Sequence, residues 1–114
     1  RDFIVAIFAG NSPFSMKIGI KLKKRDIPYG IATSSGTIGH SISFGKADAV
    51  TIVSPSAALS DGSATYFGNL VKESINRELI ISELKNFPFI EGIVIIKNKE
   101  IFIWGNLEII SLNG

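Results

Sequence analysis

Apolar residues along the chain fall into short runs separated by clusters of Gly, Pro, Asn and Ser, a spacing that points to strands before helices. Phe3 to Phe8 is apolar without a break and reads as a buried strand, ended by turn chemistry in Ala9-Gly10-Asn11-Ser12-Pro13. From Lys17 to Lys23 the period is two. Ile18, Ile20 and Leu22 share one face and Lys17, Lys21 and Lys23 the other, the pattern of a half-buried strand. Asp26-Ile27-Pro28 turns the chain into a short strand over Tyr29 to Thr33, which delivers a Ser/Gly-rich loop. Ala47 to Val53 is the next strand, and its run Ala49-Val50-Thr51-Ile52-Val53 fits burial on both faces.

The period then changes. Ser54 reads as an N-cap with Pro55 at the first helical position, where a missing N–H costs nothing. Leu59, Ser63, Tyr66, Phe67 and Leu70 form one stripe, expected on the core side. Ala58, Asp61, Gly62, Thr65, Gly68 and Asn69 form a second face of small or polar residues. Gly62 inside a helix costs about 1 kcal/mol relative to alanine, so close approach of something to it is expected. A second helix over Asn76 to Asn86 turns Leu79, Ile80 and Leu84 inward and stops before Pro88. Ile93 to Lys97 and Glu100 to Trp104 read as a hairpin through Asn98-Lys99, and Leu107 to Leu112 as a last strand. The expected fold class is α+β, or mixed α/β: one layer of two helices packed on an antiparallel-rich sheet.

Composition narrows the function classes. At 114 residues the chain is a single domain, 1–114, or a piece of one, and 46% hydrophobic with 19% charged residues is ordinary for a folded protein. A net charge of +2 gives no reason to expect nucleic acid. The one basic cluster, Lys21, Lys23, Lys24 and Arg25, reads as the solvated face of a strand and its turn. With no cysteine, disulfides, thiolate metal sites and cysteine nucleophiles are excluded. No apolar run approaches the roughly 20 residues of a membrane span. The start at Arg1-Asp2-Phe3-Ile4 is already strand-like and lacks a methionine or leader, which suggests a fragment or processed domain, soluble and cytoplasmic.

Candidate chemistry gathers between Thr33 and Asn69. Asp61 and Thr65 stand one helical turn apart on one face, so a carboxylate and a hydroxyl can reach the same hard cation. Mg²⁺ takes one or two carboxylates and completes its shell with water and phosphate oxygens. The alternative is an exposed aspartate beside a threonine bonded to a carbonyl one turn back. His40, the only histidine, sits among Gly39, Ser41 and Ser43. It can act as acid or base, donate to a phosphate, or be structural. A triad with Ser34, Ser35 or Ser41 is conceivable, although no Gly-x-Ser-x-Gly elbow exists. Thr33, Ser34, Ser35, Gly36 and Thr37 offer hydroxyls and backbone N–H groups that suit a phosphate nest, but no P-loop or dinucleotide fingerprint follows. A plain loop is the alternative.

Taken together, Gly30-Ile31-Ala32-Thr33-Ser34-Ser35-Gly36, His40, Ala47 to Ser54 and Ser56 to Thr65 resemble the ApbE-like proteins. Flavin transferases of that family carry an "ATSG" segment, a downstream histidine, a strand and an "ADALAT" helix. The match is closer to a branch with "TSSGTVGHSLSFGKADAV" followed by "ADAAATAIGN", here Thr33 to Val50 and Ser60 to Asn69. The resemblance extends to Ile7 to Pro13 and to Trp104-Gly105. It implies an ApbE-like (T-fold-like) architecture, of which this chain is the C-terminal portion.

In the transferases, Mg²⁺ held by the aspartate and threonine of the helix motif binds the FAD pyrophosphate, and FMN passes to a threonine or serine of a target protein. By resemblance Asp61 and Thr65 are the metal ligands, His40 the catalytic residue, and Thr33, Ser34, Ser35, Gly36 and Thr37 the loop near the flavin nucleotide. Two departures stand out. The transferases continue "-IIDPRTG" after the histidine, whereas Ser41-Ile42-Ser43-Phe44-Gly45 follows here, with Ser43 in place of the acid and no arginine. The family's N-terminal half, with its Gly-Gly-Asp-type segment, is not in this sequence, so that half or a second subunit of a homo-oligomer is the expected partner. The implied function is binding of FAD or another pyrophosphate nucleotide with Mg²⁺, with FMN transfer as the reaction. A non-catalytic binding or assembly module that kept the fold is the rival, and serine-based ester hydrolysis a third reading.

Overall fold

A computed structural model describes residues 2–35, 37–38, 41–42 and 47–112, the two short segments by backbone alone. In chain order the elements are β1 (Phe3–Ala6), β2 (Ile18–Leu22), β3 (Gly30–Ser34), β4 (Thr37–Ile38), β5 (Ser41–Ile42) and β6 (Ala49–Ser54). Helices α1 (Ala57–Leu70) and α2 (Arg77–Leu84) follow, then β7 (Gly92–Lys97), β8 (Glu100–Gly105) and β9 (Glu108–Ser111). The class is α+β. Where one sheet is expected from the sequence, there are two larger ones, both antiparallel: β1-β2-β9 and β3-β6-β7-β8. A third pairing joins β4 to β5.

The four-stranded sheet forms the middle layer because β6 and β7 are apolar on both faces. Val50, Ile52, Ile93 and Ile95 point to one side and join Ala64, Phe67, Ile80 and Leu84 of the helices. Ala49, Val53, Val94 and Ile96 point to the other side and meet Ile7, Ile20 and Leu22 of the three-stranded sheet. Full burial of each large aliphatic side chain contributes roughly 1.5–3 kcal/mol, so these two clusters account for the layering. The β7–β8 turn is pinned from two distant segments: Asn98 N donates to Asp48 Oδ2 (2.6 Å), and Ser12 Oγ donates to Asn98 O (2.6 Å).

Three sequence expectations are corrected. The first concerns β1, which is covered on one side only: Ile7 is buried, but Ile4 and Phe8 are 53% and 61% exposed. The second is the helix start. Ser54 remains in β6, and Ser56 is the N-cap, with extended backbone and Oγ accepting from Leu59 N at 3.2 Å. The third is the face of α1 that meets the core. Ser60, Ser63, Ala64, Phe67 and Gly68 are buried, while Leu59 and Tyr66 are 47% and 41% exposed. Small residues let the helix lie close to β3 and β6, and Tyr66 is displaced to the flank facing α2. There Tyr66 donates to Glu83, which holds its phenol above the usual range, and its ring meets Phe87 at 5.0 Å.

Ser56→Ala is expected to destabilise the domain by about 1 kcal/mol through loss of the cap. A urea midpoint indistinguishable from wild type would refute that assignment.

Candidate functional site

The candidate face begins with how α1 is fastened. Ser60 Oγ donates to Gly30 O at 2.7 Å and lies 2.6 Å from Ser54 Oγ, so buried hydroxyls join β3, β6 and α1. Gly30 passes directly over the turn that starts the helix: a Cβ placed on it would lie 2.1 Å from Ser56 C and 2.2 Å from Ala57 N. At the other end, a Cβ on Gly68 would lie 3.9 Å from Ser34 Oγ. β3 and α1 therefore run in the same direction, and the Ser34 end of the strand reaches the last turns of the helix.

On the outer flank of that helix Asp61, Gly62, Thr65 and Asn69 are all exposed. Thr65 Oγ1 donates to Asp61 O at 3.4 Å, a long and weak bond that leaves the hydroxyl oxygen's lone pairs available. A Cβ on Gly62 would meet nothing within 4 Å. The close approach expected at Gly62 is thus not made by any described residue; it occurs instead at Gly30. Among the described residues no group of three His, Cys, Asp or Glu is placed to hold a metal. An exposed aspartate beside a threonine bonded to a carbonyl one turn back is the arrangement of the alternative reading, and two such oxygen donors do not make a closed structural metal site.

The other candidates divide. Thr33 and Ser34 alternate across β3, so they face opposite sides of the sheet. Thr33 Oγ1 is 2.9 Å from Thr51 Oγ1 on the side away from the helices, while Ser34 faces α1. Ser35 follows the strand, half-buried. Thr37 begins β4, with its backbone alone described, and Gly36 and His40 lie outside the described residues. What the fold brings together is therefore Ser34 with the Asp61–Thr65 helix.

Of the basic cluster, Lys23 and Lys24 are exposed as a solvated face requires, but Arg25 plays a different part. Arg25 donates to Glu91 Oε1 (2.8 Å), Ile27 O (2.9 Å) and Pro28 O (3.0 Å), and its guanidinium lies 3.8 Å from the Tyr29 ring centroid. It is a clamp between the two sheets, and only its contact list, not its place in a Lys/Arg run, reveals that. A cavity of about 510 Å³ opens beside it, lined by Lys21, Lys23, Tyr29, Val53 and Leu107 among others, and none of the candidate residues lines it. Among the described residues no helix is long and apolar enough to cross a membrane.

With this geometry in view, comparison with known proteins places the chain. The family model described as AbpE bacteria matches residues 1–86, and the chain belongs to that family. Among its relatives is a UPF0280 protein of Methanococcus vannielii, 45% identical over 100 residues, covering 82% of this chain and 40% of that protein. A UPF0280 protein of Methanocaldococcus jannaschii is 38% identical over 112 residues, covering 94% and 46%, and one of Methanosarcina acetivorans is 39% identical over 114 residues, covering 97% and 44%. The chain thus spans less than half the length of these relatives.

Proposed function

We propose that residues 1–114 are the nucleotide-binding portion of an ApbE-like protein, taking FAD or another pyrophosphate nucleotide together with Mg²⁺. The observation that carries this reading is the open flank of α1. A carboxylate and a hydroxyl stand one turn apart at Asp61 and Thr65, with Gly62 leaving space between them and solvent. The motif resemblance over Thr33 to Asn69 agrees with it. Asp61 and Thr65 would hold the cation, whose chemistry there is to offset pyrophosphate charge. Ser34, at the strand end beside the last turns of α1, would donate to a phosphate or ribose oxygen, and by resemblance Ser35, Gly36 and Thr37 would belong to the same nucleotide loop. His40 is assigned the proton transfer. FMN transfer would join the flavin phosphate to a target hydroxyl and release AMP, with the hydroxyl proton passing to the base. Thr33, turned to the other face, is assigned to holding β3 on β6.

One helix flank and the end of one strand do not enclose a dinucleotide, so the remaining part of the family's length, or a second subunit, completes the site in this proposal. The second reading is a binding or assembly module without transfer chemistry. It is favoured by Ser43 standing where the transferases carry an acid.

Titrating FAD into the intact natural protein, with and without Mg²⁺, tests the assignment. Binding is expected to need Mg²⁺ and to weaken by about tenfold or more in Asp61→Ala, the scale of one lost charge-assisted contact. Equal affinity in all arms would sink the metal–pyrophosphate reading. Mg²⁺-dependent binding with no flavin transferred to any hydroxyl would select the module.

A further inference from the structure

Strand β1 carries a contradiction. The run Phe3-Ile4-Val5-Ala6-Ile7-Phe8-Ala9 has no polar residue at either parity, the signature of a strand buried on both faces. One parity turns inward beyond Phe3: Ile7 and Ala9 belong to the inner cluster, with Val5 packed against it. The other parity, Ile4, Ala6 and Phe8, is exposed. Register extends that outer surface across the sheet, because Ala6 pairs with Gly19 and Gly19 with Ile110. A Cβ on Gly19 would lie 3.0 Å from Ile4 Cγ2 and 3.1 Å from Leu112 Cδ2, so these two side chains close over the glycine into a shallow apolar floor. Charge on this face comes from β2 and its flank, where Lys17 is exposed at one end and Lys21, paired in register with Glu108, forms an ion pair with Asp2 at 3.9 Å towards the other. An antiparallel sheet with one face in water alternates apolar with polar; β2 does so through its lysines, and β1 does not. The four-stranded sheet, by contrast, has its outer face covered by α1 and α2.

We propose that the outer face of the β1-β2-β9 sheet is a docking surface for the part of the family's length that lies outside residues 1–114, which packs an apolar layer on Ile4, Phe8, Gly19, Ile110 and Leu112. The inference rests on the reading of this chain as one portion of a longer protein, and it names where the other portion sits. Relatives of which this chain covers only 40–46% have more than enough sequence to supply such a layer. A covalently attached segment acts at an effective concentration in the millimolar range, which favours it over a second copy at cellular concentration.

The test uses the full natural chain, with any cysteine outside residues 1–114 replaced by serine, since this segment has none. Single variants Ile4→Cys and Ile110→Cys are labelled with a water-soluble maleimide, with Glu78→Cys on the exposed side of α2 as the reference. The two β-sheet positions are expected to label at least about tenfold more slowly than the reference, at a rate independent of protein concentration. Equal rates overturn the proposal. So do protection lost on dilution, which assigns the face to a second copy, and a natural chain with nothing beyond these residues. Should the cysteine variants fail to fold, hydroxyl-radical oxidation of the wild-type protein gives the same answer. Phe8 is then expected to be modified well below Leu59 and Ile103 once intrinsic reactivity is corrected for, and parity with them counts against the docking. Protected labelling without FAD binding would remove the nucleotide reading and leave this inference standing.

Discussion

Gly30→Ala is expected to destabilise the domain by more than about 3 kcal/mol, beyond the usual range for overpacking. An added Cβ would lie 2.1, 2.2 and 2.4 Å from Ser56 C, Ala57 N and Ser56 O. These are backbone atoms of the turn that starts α1, with no flexible side chain to yield. Relief requires β3 and α1 to separate, and that stretches the bond from Ser60 Oγ to Gly30 O, at 2.7 Å the innermost tie between them. The consequence for the candidate site is direct, because the same movement carries Asp61 and Thr65 away from Ser34. Gly62→Ala is the matched control. Its Cβ would meet nothing within 4 Å, and alanine inside a helix is favoured by roughly 0.5–1 kcal/mol, so stability should rise slightly. Urea unfolding followed by circular dichroism measures both. A Gly30→Ala protein within 1 kcal/mol of wild type would mean that strand and helix do not approach as described.

The second large effect is at Phe67, which is fully buried and has ring centroids 5.4 Å from Tyr66 and 5.0 Å from Phe87. Phe67→Ala is expected to cost about 3–5 kcal/mol, a large share of the roughly 5–15 kcal/mol that holds a domain together. The ring fills the space between α1, β6 and the chain following α2, and neighbours on three sides cannot all collapse into the cavity it leaves. Tyr66→Ala, at a position 41% exposed, should cost clearly less. The pair is read from denaturant midpoints at constant slope. Equal losses at the two positions would show that the buried face of α1 has been assigned to the wrong residues.

That face is also where local pattern misleads. Spacing puts Gly68 on the small, polar face and Ser60 and Ala64 on neither stripe, yet these three are buried and let α1 lie close on the sheet. Hydroxyls in this chain are partly internal fastenings: Ser54 with Ser60, and Thr33 with Thr51. Nothing in sequence spacing says which hydroxyl will find a buried partner, so Thr33 and Ser34 could not be told apart. Strands were more legible. The alternation of Ile18, Ile20 and Leu22 places β2 correctly, and the run Ala49 to Val53 is buried on both faces as its composition predicts. The hairpin through Asn98-Lys99 is found where expected, with Asn98 at φ 54°. The second sheet was not legible, since periodicity reports how a strand is buried and not which distant strand pairs with it. For the site, the four-residue spacing of Asp61 and Thr65 correctly implied a shared face, whereas His40 and Gly36 fall outside the described residues.

β9 closes the three-stranded sheet from the far end of the chain, pairing Ser111 with Ile18. Such a pairing completes a loop of more than ninety residues, and topologies dominated by contacts of that range belong to the slower class of folding domains. It also has an order in time. During synthesis β1 and β2 emerge well before β9 and can form their hairpin, but β2 has its second neighbour only after residues 108–111 have left the ribosome. Until then one edge of β2 stays unpaired, and the inner cluster lacks Leu107 and Ile109. The three-stranded sheet is thus a structure that residues 3–22 begin and only residues 108–111 can finish.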